Sequence, residues 1–103
     1  QYAPYANQRL IFLRNIIAKH ELAAAEYYIK REAYIASLRR AKYVIENIPN
    51  SSENLKALEI MKKSYLELGY LDLAEEVETT IRINETAKQN ISDNFLSDIP
   101  KPN

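Results

Sequence analysis

Few side chains in this sequence could act on a substrate. His20 is the only histidine, and it stands beside Glu21. The pair could serve as a base or as metal ligands. A metal site needs several ligands at fixed spacing, and no cysteine or second histidine is present to supply them. The sequence therefore predicts no metal and no cofactor, and a packed imidazole hydrogen-bonded to a neighbouring helix. Glu75, Glu76 and Glu78 form the other titratable cluster. Paired carboxylates can move protons. These, however, follow Asp72 at an expected helix start, where the helix dipole and solvation account for acids. No catalytic residue is assigned and no enzyme is expected. Activity lost on His20→Ala with folding intact would be the mark of a small helical enzyme. Asn84-Glu-Thr and Asn90-Ile-Ser match the glycosylation sequon, a pattern too short to carry weight.

Arg39, Arg40 and Tyr43 suggest binding instead. Ala36, Arg40 and Tyr43 fall at i−4, i and i+3 on one helix face, away from that helix's core stripe. Arg39, Glu46 and Asn47 lie on the same side. Arg and Tyr are enriched at interface hot spots. Eight residues are Tyr, two are Phe and none is Trp, and Tyr suits a surface that is dry on one side and wet on the other. Partner binding through Ala36, Arg39, Arg40, Tyr43 and Asn47 is one reading of this face. A solvated surface with incidental aromatics is the other.

Such a face needs a rigid frame, and the composition predicts an all-α one. The chain has 103 residues, enough for one domain. Its single Gly and four Pro all lie outside the helical runs. Lys and Arg number 14 against 14 Asp and Glu, which removes the electrostatic case for nucleic acid. No apolar run approaches the roughly 20 residues that cross a bilayer. The chain opens on Gln1, with no signal peptide or lipid-attachment Cys, and is read as a piece of a longer protein.

Hydrophobic periodicity predicts four helices, near residues 5–31, 33–47, 53–68 and 71–85, in a repeat domain over residues 1–87. In the first helix Leu10, Leu13, Ile17, Ala24, Ala25 and Tyr28 form one buried stripe. Phe12, Ile16, Ala23 and Tyr27 form a second, expected to meet an upstream repeat. The second helix turns Tyr34, Leu38, Ala41, Ile45 and Ile48 inward and ends at Pro49. Ser51 or Ser52 is the expected N-cap of the third helix, whose stripe is Leu55, Leu58, Met61, Tyr65 and Leu68. Gly69 suits a left-handed C-cap. The fourth helix turns Leu73, Ala74, Val77 and Ile81 inward. Residues 88–103 read as a polar, disordered tail, in which Phe95, Leu96 and Ile99 could form a short docking segment.

Tyr28 and Tyr65 precede the two inter-helix turns, Ser37 and Ala74 follow them, and Glu32 and Gly69 are 37 residues apart. This is a helix–turn–helix unit repeated at solenoid spacing, about two units of a right-handed α-solenoid. Its features resemble tetratricopeptide repeats. Ala24 and Ala25 stand where the first helix packs closely, Tyr28 at its aromatic position, Tyr34 after the turn and Pro49 at the end. Glu32 replaces the usual Gly, which predicts a turn of different build, and Lys62 replaces a small residue in the second unit.

A narrower resemblance covers roughly residues 2–85. Arg9-Leu10, Leu13-Arg14-Asn15, Ala18-Lys19, His20-Glu21-Leu22, Tyr27-Tyr28, Lys30-Arg31, Ala33-Tyr34, Arg40 and Pro49 resemble the C-terminal half of the BamD family. Ala57-Leu58, Met61, Tyr65, Leu68-Gly69 and Leu73-Ala74 continue the likeness. The family comprises tetratricopeptide-repeat lipoproteins of the outer-membrane β-barrel assembly (BAM) complex. The resemblance implies a non-enzymatic scaffold at the periplasmic face of the outer membrane, held there by a lipid anchor this chain lacks. It implies binding to the BamA-like POTRA domain of the barrel-forming subunit and to other small lipoproteins, with unfolded outer-membrane proteins met by the N-terminal half. Arg40 matches an arginine facing the POTRA domain, where it would pair with a carboxylate, with Tyr43 as its apolar neighbour. The competing reading is a cytoplasmic tetratricopeptide-type adaptor holding a peptide in its concave groove.

Overall fold

Four helices appear in a computed structural model: α1 Pro4–Lys30, α2 Tyr34–Asn47, α3 Asn54–Leu68 and α4 Leu71–Asp98. It describes the backbone of residues 4–98 and the side-chain surroundings of residues 6–90, with no strand among them. From Tyr5 to Ile48 the sequence has neither Gly nor Pro. The break between α1 and α2 is therefore made by one residue, Glu32, in the left-handed region at φ 62°. Gly69 does the same between α3 and α4 at φ 84°.

The two turns close alike. Ala33 N–H donates to Tyr28 O at 2.9 Å and Glu32 N–H to Ile29 O at 3.0 Å; Tyr70 N–H donates to Tyr65 O at 2.9 Å and Gly69 N–H to Leu66 O at 3.1 Å. Both are Schellman motifs. The expectation of a differently built turn at Glu32 is thus corrected: the hydrogen bonds that end the helix outweigh the about 1–2 kcal/mol that a left-handed L-residue costs.

The α2–α3 loop also departs from expectation. Glu53 occupies the N-cap position of α3 and makes no side-chain capping bond. Ser51 Oγ accepts the Glu53 N–H at 3.3 Å and donates to Asn54 Oδ1 at 2.9 Å, closing a turn just ahead of the helix. Ser52 N–H donates to Asn15 Oδ1 at 3.1 Å and ties the loop to α1.

The helices form two helix–turn–helix units, the tetratricopeptide-like arrangement. α1 and α2 run antiparallel, since Ser37 Oγ donates to Ala25 O and Arg40 to Glu21. α3 packs on α2 and, over a shorter stretch, on α1; among the described residues α4 packs on α3 alone. The core is continuous through the stack, from Ala18, Leu22 and Ala25 through Ala41 and Val44 to Leu58, Met61, Tyr65, Ala74, Val77 and Ile81.

Several burial expectations are corrected. In α2 the buried line is Ser37, Ala41, Val44 and Ile48, with Leu38 and Ile45 flanking it and Tyr34 half-buried. α1 and α3 grip α2 from two sides, and the seam between them lies beside the expected stripe. In α1, Leu10, Leu13 and Ile17 are exposed, as are Phe12, Ile16 and Tyr27. α1 has 27 residues and α2 only 14, about 40 Å against about 21 Å at 1.5 Å per residue, so α2 covers only half of its partner. Tyr27 instead carries the Arg31 guanidinium over its ring at 3.7 Å. Leu55 and Leu73 are also exposed.

α4 runs to Asp98 rather than stopping near residue 85. Residues 88–98, expected as tail, continue the helix because no Gly or Pro intervenes between Gly69 and Pro100. Packing ends sooner: Ile81 is the last buried residue, and residues 82–90 are exposed. The side chains of Phe95 and Leu96, and Ile99 altogether, lie outside the described residues.

Candidate interaction surface

The residues singled out for chemistry do not converge. His20 is exposed on α1, so the expected packed imidazole is corrected: α2 crosses α1 on the face of Ala18, Leu22 and Ala25, and His20 lies off that line. Glu75 and Glu76 point to solvent, and their carbonyls accept the hydroxyls of Thr79 and Thr80. Glu78 pairs with Lys62 at 2.6 Å and Arg82 at 3.2 Å. Its carboxyl lies below the ordinary value of 4.5, first through the Lys62 hydrogen bond. Among the described residues, no three His, Cys, Asp or Glu side chains meet as a metal site requires.

The outward face of α2 does gather side chains. Arg39, Tyr43 and Asn47 follow one another at four-residue intervals and line a shallow groove of about 260 Å³ with Lys42 and Glu46. Tyr43 is 46% exposed. Asn47 Nδ2 donates to Tyr43 O at 3.1 Å, which anchors the amide along the helix. Lys42 and Glu46 stand 3.9 Å apart as an i,i+4 pair. A cation, an aromatic ring and an amide thus meet on a rigid helix, a combination suited to a polar partner with a small apolar knob.

Arg40 lies beside this groove, turned toward α1. Its Nη1 donates to Glu21 Oε2 at 3.0 Å, and this hydrogen bond, with the Glu21 charge, raises its pKa further. Glu21 is the less exposed of the two, at 18% against 45%. The sequence reading treated Arg40 as waiting for a partner's carboxylate and missed that Glu21, 19 positions earlier, supplies one. No helical spacing reveals that pair, because it crosses between helices. Ala36 is half-buried at the margin. Ion pairs also join Lys56 to Glu26 at 2.8 Å between α3 and α1.

Exposed apolar surface is concentrated elsewhere, on the first half of α1, where Leu10, Ile11, Phe12, Leu13, Ile16 and Ile17 are all exposed. No helix among the described residues is long and apolar enough to cross a membrane.

A family model described as "YfiO: Outer membrane lipoprotein" matches residues 1–80. The outer membrane protein assembly factor BamD of Vibrio cholerae is 34% identical over 83 residues, covering 81% of this chain and 34% of its own length. The protein of the same name from Pasteurella multocida is 31% identical over 84 residues, 82% of this chain and 32% of its own. That from Haemophilus influenzae is 28% identical over 102 residues, 99% of this chain and 36% of its own. The chain spans about a third of the length of these curated relatives.

Proposed function

Because this chain belongs to the YfiO family of outer membrane lipoproteins, we propose that it is a scaffold part of an outer membrane protein assembly factor, and that the outward face of α2 holds a POTRA domain of the barrel-forming subunit. The relatives' printed name, outer membrane protein assembly factor, supports the first part. The second rests on one observation: the groove in which Arg39, Tyr43 and Asn47 meet on one helix.

The work of such a site is binding. The helix is held by α1 and α3 before any partner arrives, so little ordering remains to be lost on association. Tyr43 offers its ring as an apolar anchor, and Arg39 offers a planar fork that can grip a carboxylate in two places. Arg40 donates to Glu21 with one of its five N–H groups. It stays half-exposed and can share a second carboxylate from the partner. Glu21 fixes the direction of the guanidinium and so orients the partner.

The test is a titration of the chain with the soluble POTRA region. Tyr43→Ala and Arg39→Glu each weaken binding tenfold or more, with helicity by circular dichroism unchanged. The double exchange Glu21→Arg with Arg40→Glu keeps the internal pair and reverses the charge offered to the partner, and it too weakens binding. Unchanged affinity in all three variants sinks the proposed site. A peptide that competes from the concave side instead would favour an adaptor.

A further inference from the structure

α3 sits in the groove between α1 and α2. Leu22, Ala25 and Ile29 of α1 and Ala41, Val44 and Ile48 of α2 are all in the core that these three helices share or packed against it. Thirty-seven residues later, the interval between the two left-handed turns, the same places hold Glu59, Lys62, Leu66, Glu78, Ile81 and Glu85. These six line an open groove of about 430 Å³ between α3 and α4. The second unit therefore repeats the seat that receives a helix in the first, and among the described residues nothing fills it.

The seat has changed its chemistry. Ile81 remains a buried apolar floor and Leu66 an exposed apolar wall, 46% accessible. Lys62 and Glu78 neutralise each other across the groove. Glu59, Glu67 and Glu85 make no ion pair among the described residues, and Lys63 is the one unpaired cation among the residues that line the groove. The rim is acidic. Another repeat helix of the usual apolar kind would bury these carboxylates without partners, at several kcal/mol each.

We propose that the α3–α4 groove is a docking site for a basic amphipathic helix of a partner protein, seated on α3 and α4 as α3 is seated on α1 and α2. Small or apolar residues of that helix lie over Leu66 and Ile81, and its Lys or Arg side chains meet Glu59, Glu67 and Glu85. α3 already uses this device: Lys56 reaches Glu26 at 2.8 Å beside its apolar contacts. The site is separate from the α2 face and does not depend on the POTRA reading.

Two alanine-based 15-residue helical peptides with the same leucine stripe test it, one flanked by lysines and one by glutamates. Each is titrated into the isotope-labelled chain and followed by nuclear magnetic resonance. The lysine peptide binds at least tenfold more tightly than the glutamate peptide, and the signals that move lie in 59–67 and 78–85. Glu59→Lys with Glu85→Lys, both at exposed positions, lowers its affinity at least tenfold while leaving POTRA binding intact. Leu66→Ala, also exposed, weakens both peptides and serves if the charge reversals disturb the fold. Equal affinity for the two peptides, movement confined to residues 10–17 of α1, or filling of the groove by a second copy of the chain overturns the proposal.

Discussion

Ala25 and Ala41 in the first helical unit, and Lys62 and Glu78 in the second, hold the same places 37 residues apart, behind turns closed by the same hydrogen bonds. The alanines are fully buried in the core on which α3 packs. The lysine and glutamate face an open groove and hold each other at 2.6 Å. The backbone repeats, but the residue types at one pair of positions decide whether a further helix of the same kind can stack. Small side chains let helices approach closely, and a solvated ion pair keeps them apart. In a solenoid this is the chemistry of an end.

Exchanging that chemistry gives the largest expected effect. Ala25→Lys with Ala41→Glu brings the second unit's pair into the filled groove of the first. It forces charge into the core and costs about 3 kcal/mol or more. Thermal unfolding followed by circular dichroism should show a much lower midpoint. A midpoint unchanged from the parent would mean that groove chemistry does not distinguish the units.

The turns offer a smaller exchange. Gly69→Ala puts a Cβ on a left-handed residue. No atom lies within 4 Å of that Cβ, so the cost is conformational alone, about 1 kcal/mol. Glu32→Gly relieves the same strain in the first unit, and denaturant titration should show a gain of about 0.5–1 kcal/mol. Opposite signs at the two turns confirm that one geometry is met by two residue types; a loss at Glu32 would reveal a side-chain role there.

Acid gives the smallest effect. Glu78 is held below its ordinary 4.5 by Lys62 and Arg82. Its pairing therefore stabilises the fold above that value and is lost as pH falls through the lower, folded value. Melting points taken at pH steps below 4.5 should fall less steeply in Glu78→Gln than in the parent. Parallel slopes would assign the acid response to other carboxylates.

Helix number, order and the left-handed Gly69 were legible in the sequence, because each depends on residues close in the chain. Apolar spacing marked the helices but not what covers them. Leu10, Leu13 and Ile17 have the spacing of a buried stripe and stay exposed, the first two because α2 is too short to reach them and Ile17 because it lies off the face of Ala18, Leu22 and Ala25 that α2 crosses. Val44 was overlooked in α2 because burial there follows the seam between two neighbours. Of the expected face of Ala36, Arg39, Arg40, Tyr43 and Asn47, only Arg39, Tyr43 and Asn47 line one groove. The Arg40–Glu21 pair was missed because its partner comes from another helix.

Among the described residues α4 packs on α3 and on no other helix. Its opening breaks a single contact layer, whereas releasing α2 breaks two. Native-state hydrogen exchange should therefore be graded along the stack. Amides of α4 past Ile81, with no buried side chain up to residue 90, exchange first; the rest of α4 follows; α2 and the middle of α3 wait for global unfolding. A helix seated in the α3–α4 groove would slow exchange in α4 by adding the second layer it lacks, so occupancy at that end could be read as protection gained rather than as a change of shape.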